Sequence, residues 1–268
     1  MDRYRLKNVI ISILLLVNCF LLGSLAIQQS SEYTARVQTE EQLVALFAAD
    51  GMTLERTAIS KSVPPVSLSL TRDTAHDRAV AAFFLGDALS QGNQGDTYTY
   101  TGNSGVAIFR SNGNFDIAGT LSTENTQDSC REFCKTFGYD EPVFLLAENG
   151  DGTATASARY NKLSVFNGTV TFSFSGGTLV TVSGTLLPES SSAAESNQEP
   201  LSAVAALTAL QKMRRETGAV VSAITAMHPC YELQSSTAAR ISLVPAWCIV
   251  TNTSKYYVNC LTGIVTSG

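Results

Sequence analysis

Histidine, tryptophan and charge are all scarce in this 268-residue chain: it holds two histidines, one tryptophan and 15% charged residues. With His76 and His228 as the whole supply of imidazole, a histidine-rich metal centre is excluded, and triad chemistry would have to be built on one of these two. Neither accompanies a Gly-x-Ser-x-Gly elbow, and the chain lacks a His-Glu-x-x-His helix, a phosphate-binding loop and a Ser-x-x-Lys dyad. Catalysis is therefore not expected, and no catalytic, cofactor-binding or metal-ligating residue is assigned. Basic charge is short as well. Arg3, Arg5 and Lys7 against Asp2 give residues 1–8 a net +2, so subtracting this from the formal −5 leaves the rest of the chain at −7. An acidic body of that kind repels phosphate backbones, and nucleic acid is excluded as an expected partner.

Cysteine is present six times, but in a pattern that resists pairing. Cys19 falls in an apolar run, which leaves Cys130, Cys134, Cys230, Cys248 and Cys260 as an odd set. Cys130 and Cys134 stand four apart on a helical stripe and read as small buried apolar side chains. A Cys230–Cys248 bridge across neighbouring strands is an alternative that spacing alone leaves open.

What the sequence has instead is one long uncharged stretch near its start. Residues 9–27, VIISILLLVNCFLLGSLAI, run for nineteen residues without a charge. At about 1.5 Å per residue this matches a hydrocarbon core of about 30 Å. The basic flank precedes it, so the expected topology is a cytoplasmic tail (1–8), a signal anchor (9–27) and an extracytoplasmic body in a single-pass membrane protein. A cleaved signal peptide is the competing reading, because Ser24 and Ala26 are small residues at cleavage-site spacing.

The body (28–187, a linker, then 201–268) reads as α+β. Thr39-Glu40-Glu41-Gln42 has the capping-box pattern, with Leu43, Leu46 and Phe47 on one face and Gly51 as terminator. VSLSL at 66–70 alternates as a strand, and a helix opens near Asp73-Thr74 with Val80, Phe83 and Phe84 on its apolar side. Period-two patterning over 97–121, broken at Gly102–Gly105 and Asn112-Gly113, predicts three antiparallel strands. Asp128–Phe137 predicts a helix with Cys130, Phe133, Cys134 and Phe137 on one stripe, and four strands with Gly-marked turns follow to 187. In VTFSF, Val170, Phe172 and Phe174 point one way and Thr171 and Ser173 the other, giving a sheet with one buried and one wet face. The Asn149-Gly150-Asp151-Gly152 turn lacks the closing bidentate acid of a calcium loop and reads as a hairpin turn. Residues 188–200, rich in Ser, Ala and Glu, read as a linker. Beyond it a helix with Ala203, Val204, Leu207 and Leu210 on one side ends at Gly218, and strands over about 219–234 and 238–251 and a final hairpin complete the chain. Helix-then-meander thus occurs twice, over about 128–187 and 201–268.

The closing stretch joins Pro245-Ala246-Trp247, a polar turn at 251–254, Tyr256-Tyr257-Val258-Asn259 and Thr262-Gly263. It resembles the last hairpin of PepSY-like modules. Together with MDRYRLKNVIISILLLVNCFLL at the start, EEQLVALFAADGMTL and ARYNKLSVFNGTVTFSFSGGTLVTVSGTLL, it also resembles the YycI branch of the YycH/YycI family. That resemblance implies a non-enzymatic, membrane-anchored accessory protein of a WalK-like cell-wall-sensing histidine kinase. Such a protein acts beside a YycH-like sister protein through transmembrane helix contacts. The span offers a route: Ser12, Cys19, Gly23 and Ala26 fall within about 60° of one another at about 100° per residue, a small-residue stripe for close helix approach in lipid. Asn18, about 100° from Cys19, adds a candidate interhelical hydrogen bond. The alternative expectation is an extracytoplasmic binding or inhibitor module that senses a peptide, a wall fragment or a protease.

Overall fold

The computed structural model describes residues 14, 17–18, 20–21, 34–35, 37–121, 126–189, 191–194, 198–235 and 241–268. Among these no helix is long and apolar enough to cross a membrane. Most of the 9–27 span, including Ser12, Cys19, Gly23 and Ala26, lies outside the described residues; Leu14, Val17, Asn18, Phe20 and Leu21 are helical and exposed.

The body begins with helix α1 (residues 37–49), which buries Leu43 and Phe47 while Leu46, expected on the same face, is 42% exposed. A short strand β1 (Thr53–Leu54), a single 3₁₀ turn (Arg56–Ala58) and strand β2 (Leu68–Leu70) follow. From there the chain repeats one plan three times. Helix α2 (Thr74–Leu85) leads into β3 (Ser90–Gln94), β4 (Thr97–Gly102), β5 (Gly105–Arg110) and β6 (Asn114–Gly119). Helix α3 (Thr126–Thr136) leads into β7 (Val143–Leu146), β8 (Gly152–Tyr160), β9 (Leu163–Ser175) and β10 (Thr178–Thr185). After strand β11 (Ser191–Ala193), helix α4 (Ala203–Thr217) leads into β12 (Ala223–Ser235), β13 (Ile241–Thr251), β14 (Lys255–Asn259) and β15 (Val265–Ser267). Each set of four strands is an antiparallel meander.

The first of these units goes beyond the sequence reading, because β3 is Ser-Gln-Gly-Asn-Gln and every residue in it is exposed. No apolar alternation marks such a strand; backbone pairing with β4 defines it. The expected linker also differs: Ser191–Ala193 pairs antiparallel with β2 at the sheet edge.

All strands join one branched sheet whose main path is β11-β2-β13-β12-β9-β10-β6-β5-β4-β3. The joins depend on long strands that change partner along one edge. β9 meets β10 through Val170–Ser175 and β12 in parallel at Val165. β13 meets β2 through Ile241–Leu243 and β14 through Ala246–Val250. Pro245 sits in the gap between those two partners, and Pro229 in the gap between the β1 and β9 contacts of β12. A residue without an N–H is tolerated in a strand where no second ladder needs it.

Two cores lie against this sheet. The larger packs α2 and α3 on the first two meanders around Phe133, whose ring lies 5.0 Å from Phe84, 4.8 Å from Phe137 and 5.7 Å from Phe172. Cys130 and Cys134 sit beside it as buried apolar side chains, with burial pushing both thiols up to about 12. The second packs α1, β1 and α4 on the third meander, around Trp247, Leu207 and Leu210. The segment that opens the body therefore folds onto the unit that closes it.

β13 is central to the second core and is buried on both faces: Trp247 and Ile249 face α4, while Ala246 and Cys248 face a small cluster with Cys230, Phe166 and Tyr257. Tyr257 stacks on Phe166 at 4.0 Å. The five described cysteines are free and buried, so the open Cys230–Cys248 alternative resolves into two thiols in an apolar cluster.

Candidate functional site

Trp247 explains why the chain saves its one indole for the end. Its Nε1 donates to the Leu201 carbonyl at 2.9 Å, and the Leu201 amide donates to the Cys260 carbonyl at 2.8 Å. Both backbone groups of the residue just before the α4 N-cap, Ser202, are thereby fixed to the closing hairpin. Asn259 holds the turn after that hairpin, accepting from the Leu261 and Thr262 amides. The Trp-bearing strand and aromatic return strand read from the sequence serve to seat a helix.

That helix in turn grips α1. Asp50, at the end of α1, accepts from Gln211 Nε2 at 2.6 Å and from Arg215 Nε and Nη2 at 2.9 and 3.0 Å, and Arg214 donates to its backbone carbonyl. The Gln211 and Arg215 hydrogen bonds hold its carboxyl below the usual carboxylate range. On the other side of α1, Arg56 pairs with Glu40 and Glu41. An open groove of about 580 Å³ lies between α1, residues 59–64 and the start of α4, lined among others by Thr39, Glu40, Lys61, Val63, Pro200 and Ser202.

The two histidines stand apart, His76 on α2 and His228 on β12. His76 on α2 lies edge-on to Phe137, with Nδ1 3.8 Å from a Glu189 carboxylate oxygen. Beside it Arg72 pairs with Asp77 at 2.7–2.8 Å and lies 4.5 Å over the Tyr98 ring. Burial raises the Asp77 pKa, and its hydrogen bond to Arg72 opposes that rise. Arg72, His76 and Asp77 line a crevice of only about 10 Å³, hardly the space of one water. His228 stands across from Cys248 on β12, its pKa lowered by partial burial and by Lys255. Among the described residues no hydrogen bond joins either histidine to a serine or cysteine, and no three His, Cys, Asp or Glu side chains group as metal ligands.

Of the residues proposed for partner packing from sequence, Asn18 is helical and exposed; Ser12, Cys19, Gly23 and Ala26 lie outside the described residues. Two features escaped the sequence reading. The Asp50 clamp spans 161 positions to Gln211 and 165 to Arg215, and no local pattern announces such a pairing. The exposed apolar strand β7 was legible as a strand, but only its lack of alternation hinted that both of its faces carry apolar side chains.

Solved structures similar to this chain include an uncharacterized protein from Eubacterium rectale, 10% identical with a TM-score of 0.42, covering 76% of this chain and 86% of that one. Another is the C-terminal domain of YpeB from Bacillus megaterium, 12% identical with a TM-score of 0.34, covering 74% of this chain and 98% of that one. No family model and no curated protein matches the sequence.

Proposed function

We propose that this chain is a non-enzymatic, membrane-anchored accessory regulator of a cell-wall-sensing two-component histidine kinase, with an extracytoplasmic PepSY-like body. Its N-terminal helix packs beside the transmembrane helices of the kinase and of a YycH-like sister protein and biases the kinase between activity states. Support comes first from sequence: an uncharged hydrocarbon-length span behind a basic tail, and the spread of YycI-like segments along the chain. Leu14, Val17, Phe20 and Leu21 are helical and exposed, a set of apolar side chains that calls for lipid or a partner helix.

The observation that carries the reading is the clamp at Asp50. Helix α1 follows the apolar span within the same N-terminal segment, and its far end is tied to α4 by a bidentate arginine and a glutamine. The first helix of the body is thereby fixed to its closing unit, which gives an anchor helix a defined surface of the body to act on.

The test is co-purification in mild detergent. The full chain is expected to retain the kinase, and Ser12→Leu with Gly23→Leu is expected to lose it, because bulky side chains keep helices apart in lipid. Undiminished capture by the double variant defeats the packing mechanism.

A further inference from the structure

The chain enters its body beside the open groove. Thr39 and Glu40, in the first turn of α1, share the lining of that groove with the loop 59–64 and the start of α4. Helices α1 and α4 run side by side in the same direction, because their starts meet at the groove and their far ends are joined by the Asp50 clamp. Thr39 is twelve residues past Ile27, the last residue of the apolar run, so even a fully extended chain holds the groove within about 40 Å of the end of that run. With residues 9–27 as a membrane anchor, the reading on which this inference rests, the groove marks the end of the body that is tethered to the bilayer.

The loop at that end exposes apolar side chains on a stiff backbone. Val63 is 83% exposed and Val66 66%, and Pro64 and Pro65 stand between them. Each proline fixes its own φ and drives the residue before it to an extended conformation, so the tip keeps its shape. From Thr57 to Thr71 the one charge is Lys61, which is exposed. Valines with a lysine beside them suit a lipid interface, where apolar groups enter the acyl boundary and the ammonium stays among the phosphates. Glu40 in the groove lining is buried and pairs with Arg56. Glu199 on the rim is exposed, which favours a zwitterionic surface over an anionic one.

We infer that residues 59–66 are a lipid-contact element, which inserts Val63 and Val66 into the headgroup boundary of the membrane that holds the chain. The tether makes this second contact intramolecular, at an effective concentration on the order of millimolar, so two valines suffice to populate it. The body is thereby oriented, with the start of α4 towards the bilayer and its end away. Val220, just past α4 and 80% exposed, is the matching valine at the far end, about 22 Å along the fifteen-residue helix.

The experiment uses the full chain with Cys19→Ala and either Val63→Cys or Val220→Cys, labelled natively with a nitrobenzoxadiazole maleimide; the other five thiols are buried. The labelled chains are reconstituted into phosphatidylcholine vesicles, with and without nitroxide-bearing lipid, after circular dichroism has confirmed the fold. Flotation with the vesicles reads the anchor, and quenching by the nitroxide reads the loop. Quenching at 63 is expected to exceed that at 220 by at least about threefold, since interfacial insertion reaches only about 5–10 Å. Val66→Asp, at an exposed position, is expected to bring quenching at 63 down to the level at 220. A chain that floats but shows equal quenching at the two sites, or quenching at 63 that ignores Val66→Asp, overturns the inference and leaves the anchor standing. A chain that does not float overturns both. A fluorescence change at 63 that follows protein density and not nitroxide overturns the inference by showing a second copy on the loop.

Discussion

Replacing Trp247 with phenylalanine removes two things at once. The indole is fully buried in the second core, and its Nε1 is the hydrogen-bond donor to the Leu201 carbonyl at the entrance to α4. The Leu201 carbonyl, in a half-buried residue, loses its donor, at a cost of about 1–3 kcal/mol where water does not replace it. The smaller ring leaves roughly 40 Å³ unfilled, and at about 24 cal/mol per Å³ that adds about 1 kcal/mol. The sum is about 2–4 kcal/mol, which for a body of this size lowers the melting temperature by about 4–16 °C. Trp247→Ala should cost more, since large-to-small aromatic truncations alone cost about 3–5 kcal/mol. Thermal unfolding followed by far-ultraviolet circular dichroism measures the total, and hydrogen exchange locates it. Protection should fall at the Ala205 and Ala206 amides, which bond to Ser202 in the first turn of α4, while α2 and α3 in the other core keep theirs. A loss below about 1 kcal/mol for Trp247→Phe would refute the role of the indole as the tether of α4, as would a loss of protection spread evenly over both cores.

Two other consequences are open to measurement. Arg72 and Asp77 form a largely buried pair, so Arg72→Met alone should cost about 3–5 kcal/mol, more than Arg72→Met with Asp77→Leu. Burial already raises Asp77 above its ordinary 3.8, and without Arg72 it rises further. The raised carboxyl stabilises the fold below 3.8 and loses that contribution as pH climbs through the folded value; denaturant titrations of the single variant between pH 4 and 7 should show stability falling over that window, and a flat profile would contradict this. The thiols of Cys130, Cys134 and Cys260 are pushed up to about 12 by burial, and those of Cys230 and Cys248 are raised as well. At pH 8 a thiol with a pKa of about 12 is ionised in only about one molecule in ten thousand, and all five are buried, so these five should resist Ellman's reagent in the native chain and react once it is denatured; thiols missing after denaturation would reveal a disulfide.

Much of the body was legible because its elements carry strong local signals. Asp73 caps α2 by accepting from the Ala75 amide, Gly218 ends α4 in the left-handed conformation, and the Cys130–Phe133–Cys134 stripe is buried as its spacing implies. Val170, Phe172 and Phe174 are buried while Thr171 and Ser173 are not, as alternation requires. What stayed hidden depends on distant partners. β3 has no apolar pattern because nothing packs on it, and β11 is a strand only because β2 offers an edge to residues that look like a linker. Leu46 falls outside the core that takes Leu43 and Phe47 from the same helix, and its own sequence does not record which part of the apolar stripe is covered. The Asp50 clamp links residues that no window along the chain brings together. The β7 edge was visible as a strand, yet its place at the margin of the sheet is a property of topology.

The central claim is that influence on a kinase passes through the N-terminal helix. Its most direct test is kinase autophosphorylation in proteoliposomes containing either the full chain or a version whose residues 9–27 are replaced by an unrelated Leu-Ala span of the same length. The native span should change the autophosphorylation rate and the replacement should leave it at the level of kinase alone. An equal effect from both would contradict the account, since a generic anchor would then suffice and the helix surface would carry nothing.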